Sequence, residues 1–413
     1  MKRNLDDQAK IFSLSFNKKD TSIFRLTTTL KNKIDEKYLR QALDRTLKKY
    51  KDYKVKLNKD LFWYYLEENE KSLPIHNEID YEFTKINTEE NNNHLVRIAY
   101  EDNTLVVDFF HLLTDGANGL EFIKDIIYNY SRLNNHKLKP QEKRNLSSEN
   151  AYTNNYTHKF TKVEKIPKAF QLQGDYIPTS KVSFNDFYIN LNEIKQLSKE
   201  KECSISILLI SLLVYSINET NYKSNNGKLP INISIPISLK KYFPSDTISN
   251  FVSHSMLSIK PNKNDTLDNI IDLVKKDYTD KMTEGKIKDT FESDGKKINN
   301  KLLNIIPLSI KRAIVQLGAK IVKKQFTITY SNLGIIDLNN GYEEYTEDIT
   351  FKLIPDWAER VRCGICSYKN DIIISFGSNL LDTSLEQKFQ ETLSSLNISH
   401  TIKSNEVNPI KKD

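Results

Sequence analysis

One sequence pattern occurs twice in this chain, and that repetition constrains the fold more than any other feature. The first copy comprises Tyr100, the run Leu105-Val106-Val107, Phe109, Leu113, Asp115 and Leu120. The second copy comprises Tyr368, the run Ile372-Ile373-Ile374, Phe376, Leu380, Asp382 and a final helical pattern. Such internal similarity is typical of a chain built from related units. We therefore expect two copies of one α/β lobe.

Hydrophobic periodicity predicts the elements of both halves. Apolar runs and alternation predict strands at 22–30, 53–57, 61–66, 94–100, 104–110, 187–191, 231–235, 251–259, 326–330, 348–353, 361–368 and 372–376. Helical spacing predicts helices at 35–50, 118–132, 205–222, 266–282 and 384–396, with a further helical stretch within 286–324. The polar segment that follows residue 134 is typical of a crossover. We therefore predict a lobe at 1–140, a linker at 141–185 and a lobe at 186–413.

Charge and hydrophobicity exclude several classes of protein. The formal net charge is +7, and the lysines are spread along the chain rather than gathered into one stripe. This argues against a nucleic-acid partner, although a mildly basic surface favours an anionic cosubstrate. The longest apolar run, residues 205–217, is too short to cross a bilayer, and the charged N-terminus leads into no signal-peptide core. We expect a soluble protein without stable membrane insertion.

The three cysteines give no even disulfide framework, which indicates a reducing compartment and hence the cytoplasm. Cys363 and Cys366 are spaced like half of a zinc site. They lack a second ligand pair, and residues three apart on a strand face opposite ways. We predict structural roles for both and no metal site.

The two copies of the pattern differ at the residue best suited to chemistry. The first copy has His111 and Gly116, where the second has Ser378 and Thr383. A histidine directly after a strand can act as a general base at neutral pH, because its ordinary pKa is about 6.5. Asp115 would then turn back to fix the loop, and Gly116 would permit a turn that a Cβ hinders. From the spacing alone, a loop histidine beside an ordinary Asp-Gly turn is the favoured interpretation.

The wider context is a family resemblance. The segment Phe109-Phe110-His111-Leu112-Leu113-Thr114-Asp115-Gly116 resembles the active-site motif of the coenzyme A-dependent acyltransferases. That superfamily includes alcohol acetyltransferases, chloramphenicol acetyltransferase and the condensation domains of peptide synthetases. Further stretches look like the alcohol acetyltransferase branch: Leu61 to Tyr65, Ile235 to Ser245, Asn250-Phe251 and Tyr330 to Gly334. The likeness covers nearly the whole chain in order.

The resemblance implies an α/β fold of two chloramphenicol-acetyltransferase-like lobes, each a mixed sheet packed with helices. His111 would lie in a tunnel between them, with acyl-coenzyme A as cosubstrate and no bound cofactor. In relatives the aspartate that matches Asp115 pairs with an arginine, and here the corresponding segment offers Lys240. Phe110 stands where condensation domains usually have another histidine, which argues against peptide-bond chemistry.

Four further residues receive candidate roles. Ser331 and Asn332 could donate hydrogen bonds to an oxyanion, although Asn332 could equally be a turn residue at a strand end. Trp63 and Tyr65 could line an acceptor channel, although aromatic strands more often belong to a core. His254, on a predicted strand, is expected to be structural.

Three functions remain open at this point. The leading hypothesis is transfer of an acyl group, acetyl by preference, from coenzyme A to the hydroxyl of a small alcohol or metabolite. The second is an acyltransferase that takes a thioester from a carrier protein, as condensation domains and lipid-modifying relatives do. The third is a non-catalytic binding protein that kept the fold.

Overall fold

The computed structural model describes residues 2–405 and 407, with gaps at 18–19, 84, 135–136, 142, 160, 162, 178–180, 224–226, 299–302 and 304. Strands in the described residues are β1 (Lys2–Asn4), β2 (Ile23–Leu30), β3 (Val55–Lys59), β4 (Tyr64–Glu68), β5 (Ile75–His76), β6 (Val96–Glu101), β7 (Thr104–Phe110), β8 (Ser183–Asn190), β9 (Ile231–Ser238), β10 (Val252–Ile259), β11 (Ile328–Ile335), β12 (Thr346–Leu353), β13 (Val361–Tyr368), β14 (Asp371–Ser378) and β15 (His400–Ser404).

The helices lie between these strands in sequence, singly or in groups of two or three. They are α1 (Asp7–Ser15), α2 (Glu36–Lys49), α3 (Gly116–Leu133), α4 (Ala151–Asn155), α5 (Leu191–Glu200), α6 (Ile205–Ile217), α7 (Leu267–Lys281), α8 (Glu284–Ile298), α9 (Leu308–Val322) and α10 (Ser384–Ser395). Asp35 and Thr266 cap α2 and α7 with side-chain oxygens that accept backbone N–H groups.

Two large sheets organise the molecule. The first has the strand order β12-β2-β7-β6-β5, and the second has the order β10-β9-β11-β13-β14-β8-β15. A third, small sheet has the order β1-β4-β3. Each large sheet contains parallel and antiparallel pairs, so the predicted mixed sheets are confirmed.

The internal repeat is confirmed as a structural one. In the first sheet β7 lies between β2 and β6, and α3 follows β7. In the second sheet β14 lies between β8 and β13, and α10 follows β14. The pairs β2–β7, β6–β7, β8–β14 and β13–β14 are all antiparallel. The two lobes therefore share one core topology.

β12 joins the lobes. It pairs with β2 in the first sheet, although it comes late in the chain. Its carbonyl oxygens press against two glycines of the second sheet: a Cβ at Gly364 would lie 2.2 Å from Phe351 O, and one at Gly377 would lie 2.2 Å from Leu353 O. The predicted bounds of 1–140, 141–185 and 186–413 stay a proposal. β12 falls within 186–413 by sequence, but it lies in the sheet of the first lobe.

Several elements differ from the prediction. β9 continues past Pro236 to Ser238, because beyond Ser234 its only neighbour is β10, and a proline is tolerated where a strand lacks one partner. β11 runs to Ile335 rather than ending near residue 330, with a bulge between Asn332 and Ile335. The periodicity did not predict β1, α1, β5, α4, α5 or β15.

The buried helix predicted at 205–222 is α6 followed by a π-helical turn at residues 218–222. Within the described residues no single helix is long and apolar enough to cross a membrane, although the pair Leu191–Glu200 and Ile205–Thr220, bent by 90°, passes the same test together. Cys363 packs into the core of the second lobe and Cys366 into that of the first, on opposite faces of β13.

Candidate active site

His111 begins the turn that leaves β7. Its backbone N–H donates to Ser22 O at 2.7 Å, which ties the turn to the start of β2. The imidazole stacks on Phe12 of α1, with ring centroids 4.4 Å apart, and meets the edge of Phe24 at 5.3 Å. The histidine is half-buried. Packing on two aromatic rings and a strand end holds the imidazole in one orientation.

Asn250 fixes which ring nitrogen carries the proton. Its amide Nδ2 donates to the backbone carbonyl of His111 at 2.8 Å, which orients its Oδ1 towards the ring. Oδ1 lies 2.9 Å from Nδ1 of His111, and a carbonyl oxygen can only accept. Nδ1 therefore carries the hydrogen and donates it to Asn250. The lone pair of the neutral imidazole is left on Nε2, the nitrogen that can act as a base.

The surroundings keep this imidazole neutral. Burial is the largest influence and lowers the pKa of His111 below its usual value of 6.5, with a smaller effect in the same direction from Arg362. The Asp115 carboxylate and the Asn250 contact act in the opposite sense without reversing the shift. A neutral histidine at physiological pH is the form that general-base catalysis requires.

Asp115 holds the loop through backbone donors. It caps α3, and its Oδ1 accepts from Asn118 N–H at 2.9 Å. Its Oδ2 accepts from Phe251 N–H at 3.1 Å, on the segment between β9 and β10. The carboxylate is buried, so it acts as a fixed brace between the lobes rather than as a reactant.

Gly116 is required for space rather than for backbone freedom. It is not among the described glycines with a positive φ, so the turn itself would accept another residue. A Cβ at this position would lie 3.1 Å from Leu333 Cδ2 and 3.1 Å from Phe351 Cζ. The glycine therefore lets β11 and β12 approach the histidine loop closely.

The expected pairing of Lys240 with Asp115 stays a proposal, and the hydrogen bond that Lys240 makes here goes to a neighbour of the carboxylate. Lys240 Nζ donates to Asn118 Oδ1 at 2.7 Å, and Asn118 in turn is bonded to Asp115. Lys240 is therefore linked to the carboxylate through Asn118. The reason is that both oxygens of Asp115 already accept backbone hydrogens, and an ammonium lacks the bidentate fork that an arginine would use to compete.

The segment 248–251 is tied to the histidine loop at several further points. Thr114 Oγ1 donates to Ile248 O at 2.8 Å, and Tyr53 OH lies 2.8 Å from Thr114 Oγ1. Asn118 Nδ2 donates to Ser249 O at 2.8 Å. Every one of these groups is buried. The second lobe thus contributes a segment that holds the histidine loop of the first lobe in place.

Comparison with solved structures shows the fold to which these lobes belong. The chain matches TRI101 of F. graminearum, solved with coenzyme A and T-2 mycotoxin, at TM-score 0.62 and 9% identity over 97% of this chain and 99% of that one. It matches the TRI3 trichothecene 15-O-acetyltransferase of Fusarium sporotrichioides at 0.59 and 11%, over 95% and 94%. It matches the starter condensation domain of rhizomide synthetase RzmA, in complex with C8-CoA, at 0.61 and 10%, over 96% and 95%.

The chain has the acyltransferase and condensation-domain fold. The two lobes expected from the internal repeat are confirmed by neighbours that cover almost the whole chain. At these low identities the likeness establishes the fold. No protein-family model matches the chain, and no curated protein matches it by sequence.

Within the acyltransferase fold, the Ser331–Gly334 segment borders the histidine loop. Leu333 packs at Gly116, which places the β11 bulge beside the start of α3. Asn332 is exposed, and its Oδ1 accepts from Gly334 N–H at 2.7 Å. Gly334 has φ +76, so this is a tight turn within a strand rather than a strand end. The amide nitrogen of Asn332 and the hydroxyl of Ser331 stay candidate donors to an oxyanion.

Trp63 and Tyr65 lie on the small sheet and its loop. The Trp63 ring carries Lys311 Nζ at 3.2 Å from its centroid, and the Tyr65 ring carries Lys2 Nζ at 4.1 Å. Neither residue belongs to the buried core, so the core interpretation does not account for them. An acceptor channel lined by these rings stays a proposal.

His254 shares one property with His111, a pKa lowered by burial. It lies on β10 and is exposed, yet burial of its ring among protein groups lowers its pKa, and His111 lowers it further. Its Nδ1 lies 3.4 Å from Ser234 Oγ. The structural role expected for His254 stays a prediction.

A cavity of about 620 Å³ lies elsewhere, at the opposite end of β14 from Ser378. Its lining includes Tyr188, Asp348 and Lys403. Tyr188 donates to Asp348, and Lys403 lies 3.5 Å from the same carboxylate. These polar groups satisfy one another, and no residue of the histidine loop lines the cavity. We therefore place the candidate site at His111.

Proposed function

We propose that the protein is an O-acyltransferase that moves an acyl group, acetyl by preference, from coenzyme A to the hydroxyl of a small alcohol or metabolite. The observation that carries the proposal is the fixed tautomer of His111. Asn250 accepts from Nδ1 at 2.9 Å, so the free lone pair is on Nε2 of a neutral, half-buried imidazole. A base prepared in this way, in a fold whose solved neighbours bind coenzyme A, suits acyl transfer.

The reaction needs no metal and no covalent enzyme intermediate. Nε2 of His111 takes the proton of the acceptor hydroxyl while the oxygen attacks the thioester carbonyl. The tetrahedral intermediate collapses, the C–S bond breaks, and the thiolate of coenzyme A takes the proton back from the imidazolium. The ester and free coenzyme A leave, and the neutral imidazole is restored.

The remaining candidates have supporting roles in this scheme. Asp115 and Gly116 keep the histidine loop against the second lobe, and Asn250 holds the ring. The amide of Asn332 or the hydroxyl of Ser331 would donate to the oxyanion, a contact typically worth about 3 kcal/mol in the transition state. Lys240 braces the loop through Asn118. Trp63 and Tyr65 would contact the acceptor.

The setting of the enzyme follows from its composition. The cysteines among the described residues are free thiols, which favours a reducing cytoplasm. The net charge of +7 favours an anionic cosubstrate such as coenzyme A over a nucleic acid that needs a dense basic stripe. The proposed working unit is one chain, because each chain supplies both lobes.

The test is thiol release from acetyl-coenzyme A in the presence of a panel of alcohols and amines, with the products identified by mass. The proposal predicts release that depends on an alcohol and yields its ester. Coenzyme A binding without release across the panel, followed by activity with a carrier-bound thioester, would replace this proposal with the carrier-protein one. Failure to bind any coenzyme A thioester would indicate a non-catalytic relative.

A further inference from the structure

α9 has its polarity inverted. Its outward stripe consists of Ile310, Ile314, Leu317 and Ile321, at the three- and four-residue spacing of one helical face. The exposed fractions of these side chains are 54%, 55%, 65% and 65%. A helix on the surface of a water-soluble domain normally turns such a stripe towards the core.

Lys311 and Arg312 of α9 point inwards instead. Lys311 is fully buried, donates to Phe62 O at 2.8 Å and lies over the Trp63 ring. Burial lowers the pKa of Lys311 to about 8. Arg312 reaches Tyr64 OH at 3.0 Å and Phe16 O at 3.2 Å. These contacts fix the rotation of the helix, so the apolar stripe faces outwards because the opposite face is anchored.

The apolar surface extends beyond the helix. Ile305 precedes α9 and is exposed, and Leu61 and Phe62 are exposed on the loop between β3 and β4. Leu308 N–H donates to Leu61 O at 2.9 Å, which joins this loop to the start of α9. The stripe itself spans about 16 Å along the helix axis. The surface is therefore larger than the scattered apolar residues of an ordinary exterior.

The charge of the surrounding sequence is one-sided. Residues 295–336 contain eight lysines and arginines and no aspartate or glutamate. The rest of the chain then has a formal charge of −1, because the whole chain is +7. Lysine and arginine are somewhat denser here than elsewhere, at 8 of 42 residues against 53 of 371, and the absence of acids adds to the asymmetry.

We propose that the α9 face, defined as Ile305, Ile310, Ile314, Leu317 and Ile321 with Leu61 and Phe62, docks on the surface of an anionic lipid bilayer. Apart from the inward-facing Lys311 and Arg312, the stretch 295–336 keeps six cations and no acid. An apolar stripe within such a cationic stretch is the combination that binds the boundary between headgroups and acyl chains. The charge argues against a second copy of this chain as the occupant, since two such faces would bring their own cations together. Docking of this kind is peripheral and crosses no bilayer.

The surface lies one helix away from the candidate base. α1 packs against α9 on one side. On its other side α1 presents Phe12, which stacks on His111 at 4.4 Å. Docking would therefore bring the catalytic loop close to the headgroups without any change of fold.

The test is co-sedimentation of the full chain with vesicles of phosphatidylcholine alone and of phosphatidylcholine mixed with phosphatidylglycerol. We expect binding to the anionic vesicles only, weakened by added salt. The variant Ile314→Asn/Leu317→Asn should lose at least about ten-fold in vesicle affinity, because the stripe supplies the apolar contact. The matched control Leu229→Asn/Leu381→Asn replaces two exposed leucines outside the face and should bind as the wild type does.

Both substitutions are at exposed positions, so thermal unfolding should show folded proteins. The proposal is overturned if the wild type ignores anionic vesicles, if neutral vesicles bind it equally well, or if the α9 variant binds unchanged. It is also overturned if the α9 variant alters only the sedimentation velocity of the free protein, which would make the face a contact between copies. The result is independent of acyl transfer and stands or falls without it.

Discussion

At the scale of single residues, the proposed chemistry depends on the pairing of Asn250 with His111. The two side chains are 139 positions apart in sequence and bond reciprocally, ring to amide and amide to main chain. The sequence contained both residues, and the Phe109–Gly116 segment indicated the histidine. No periodicity or spacing links a histidine to an asparagine at such a separation, so this role became visible only when β9 and β10 were folded against the loop.

Replacement of Asn250 should change the pH dependence of catalysis. Because burial lowers the pKa of His111 below 6.5, the acid limb of kcat/KM should lie below pH 6.5 in the wild type. Asn250→Ala frees the tautomer and should reduce kcat about 10- to 100-fold. Asn250→Asp places a carboxylate at Nδ1, stabilises the imidazolium and should move the acid limb to higher pH.

The control for this experiment is Asn405→Ala. Asn405 also donates its amide to a backbone carbonyl, that of Val182, but it lies on the second lobe beyond β15. Loss of the Asn405 side chain can lower stability but should not move the acid limb of the kcat/KM profile. An Asn250→Asp profile that coincides with the wild-type profile would contradict the assigned tautomer.

Glu386 makes stability depend on pH through one buried carboxyl. It is completely inaccessible on α10, and within the described part of the chain neither of its oxygens has a hydrogen-bond partner. Burial raises its pKa from 4.5 to about 7. The folded state thus prefers the protonated acid, and stability is full below about pH 4.5 and falls as the pH rises through 7.

We expect the free energy of unfolding to fall by about 1 kcal/mol between pH 6 and pH 8 on this account. Glu386→Gln should remove that dependence, as measured by urea unfolding at both pH values. Glu391→Gln changes an exposed carboxylate on the same helix, and this variant should keep the pH dependence of the free energy of unfolding. Identical pH profiles for wild type and Glu386→Gln would exclude this carboxyl as the cause.

At the scale of elements, the strongly periodic segments were predictable and the weakly periodic ones were not. β7, β13 and α2 follow the apolar pattern closely. The apolar pattern did not predict α1, because two of its buried residues are the polar Asp7 and Gln8. Gln8 Oε1 accepts from Val252 N–H at 3.1 Å, and its Nε2 donates to Val252 O, so a polar side chain replaces a backbone partner of β10. Such a helix has no clear apolar stripe in its sequence.

The pair β2–β7 contains a buried ion pair that makes a quantitative prediction. Arg25 and Asp108 stand opposite each other and bond through Nε–Oδ1 at 2.6 Å and Nη2–Oδ2 at 2.9 Å. Arg25→Met leaves a buried carboxylate unpaired and should lower the free energy of unfolding by about 3–5 kcal/mol. Arg25→Met/Asp108→Leu should recover most of that loss.

Urea unfolding of the single and double variants measures this coupling. The exposed pair Lys33–Asp102 is the comparison, and its removal should cost less than about 1 kcal/mol. If Arg25→Met cost no more than Lys33→Met, the buried pair would not stabilise the first sheet in the way described.

At the scale of the whole molecule, the internal repeat allowed the two lobes to be predicted, but not how they are joined. The joining strand β12 belongs by sequence to the second half and by hydrogen bonding to the first sheet. Its close approach depends on Gly364 and Gly377, which have no signature in the sequence because glycines in strands serve several purposes. The contacts of the segment 248–251 with the histidine loop are equally long-range, and this is why the surroundings of Asp115 were not predicted.

Gly377→Ala tests the joint between the lobes. The new Cβ would lie 2.2 Å from Leu353 O, so β12 must move away from the second sheet. We expect a loss of about 3 kcal/mol in the free energy of unfolding. Gly285→Ala, on α8 with nothing within 4 Å, should be neutral or stabilising by up to about 1 kcal/mol. Equal stability of the two variants would show that β12 does not pack closely against the second sheet at Gly377.

The most direct test of the central claim is acceptor-dependent thiol release by His111→Ala beside His76→Ala, with both proteins shown to be folded. His76 is a half-buried histidine on β5 without a proposed role in catalysis. The account predicts that His111→Ala loses about 10²- to 10⁴-fold in kcat while still binding coenzyme A, and that His76→Ala keeps its activity. Undiminished release by folded His111→Ala would contradict it.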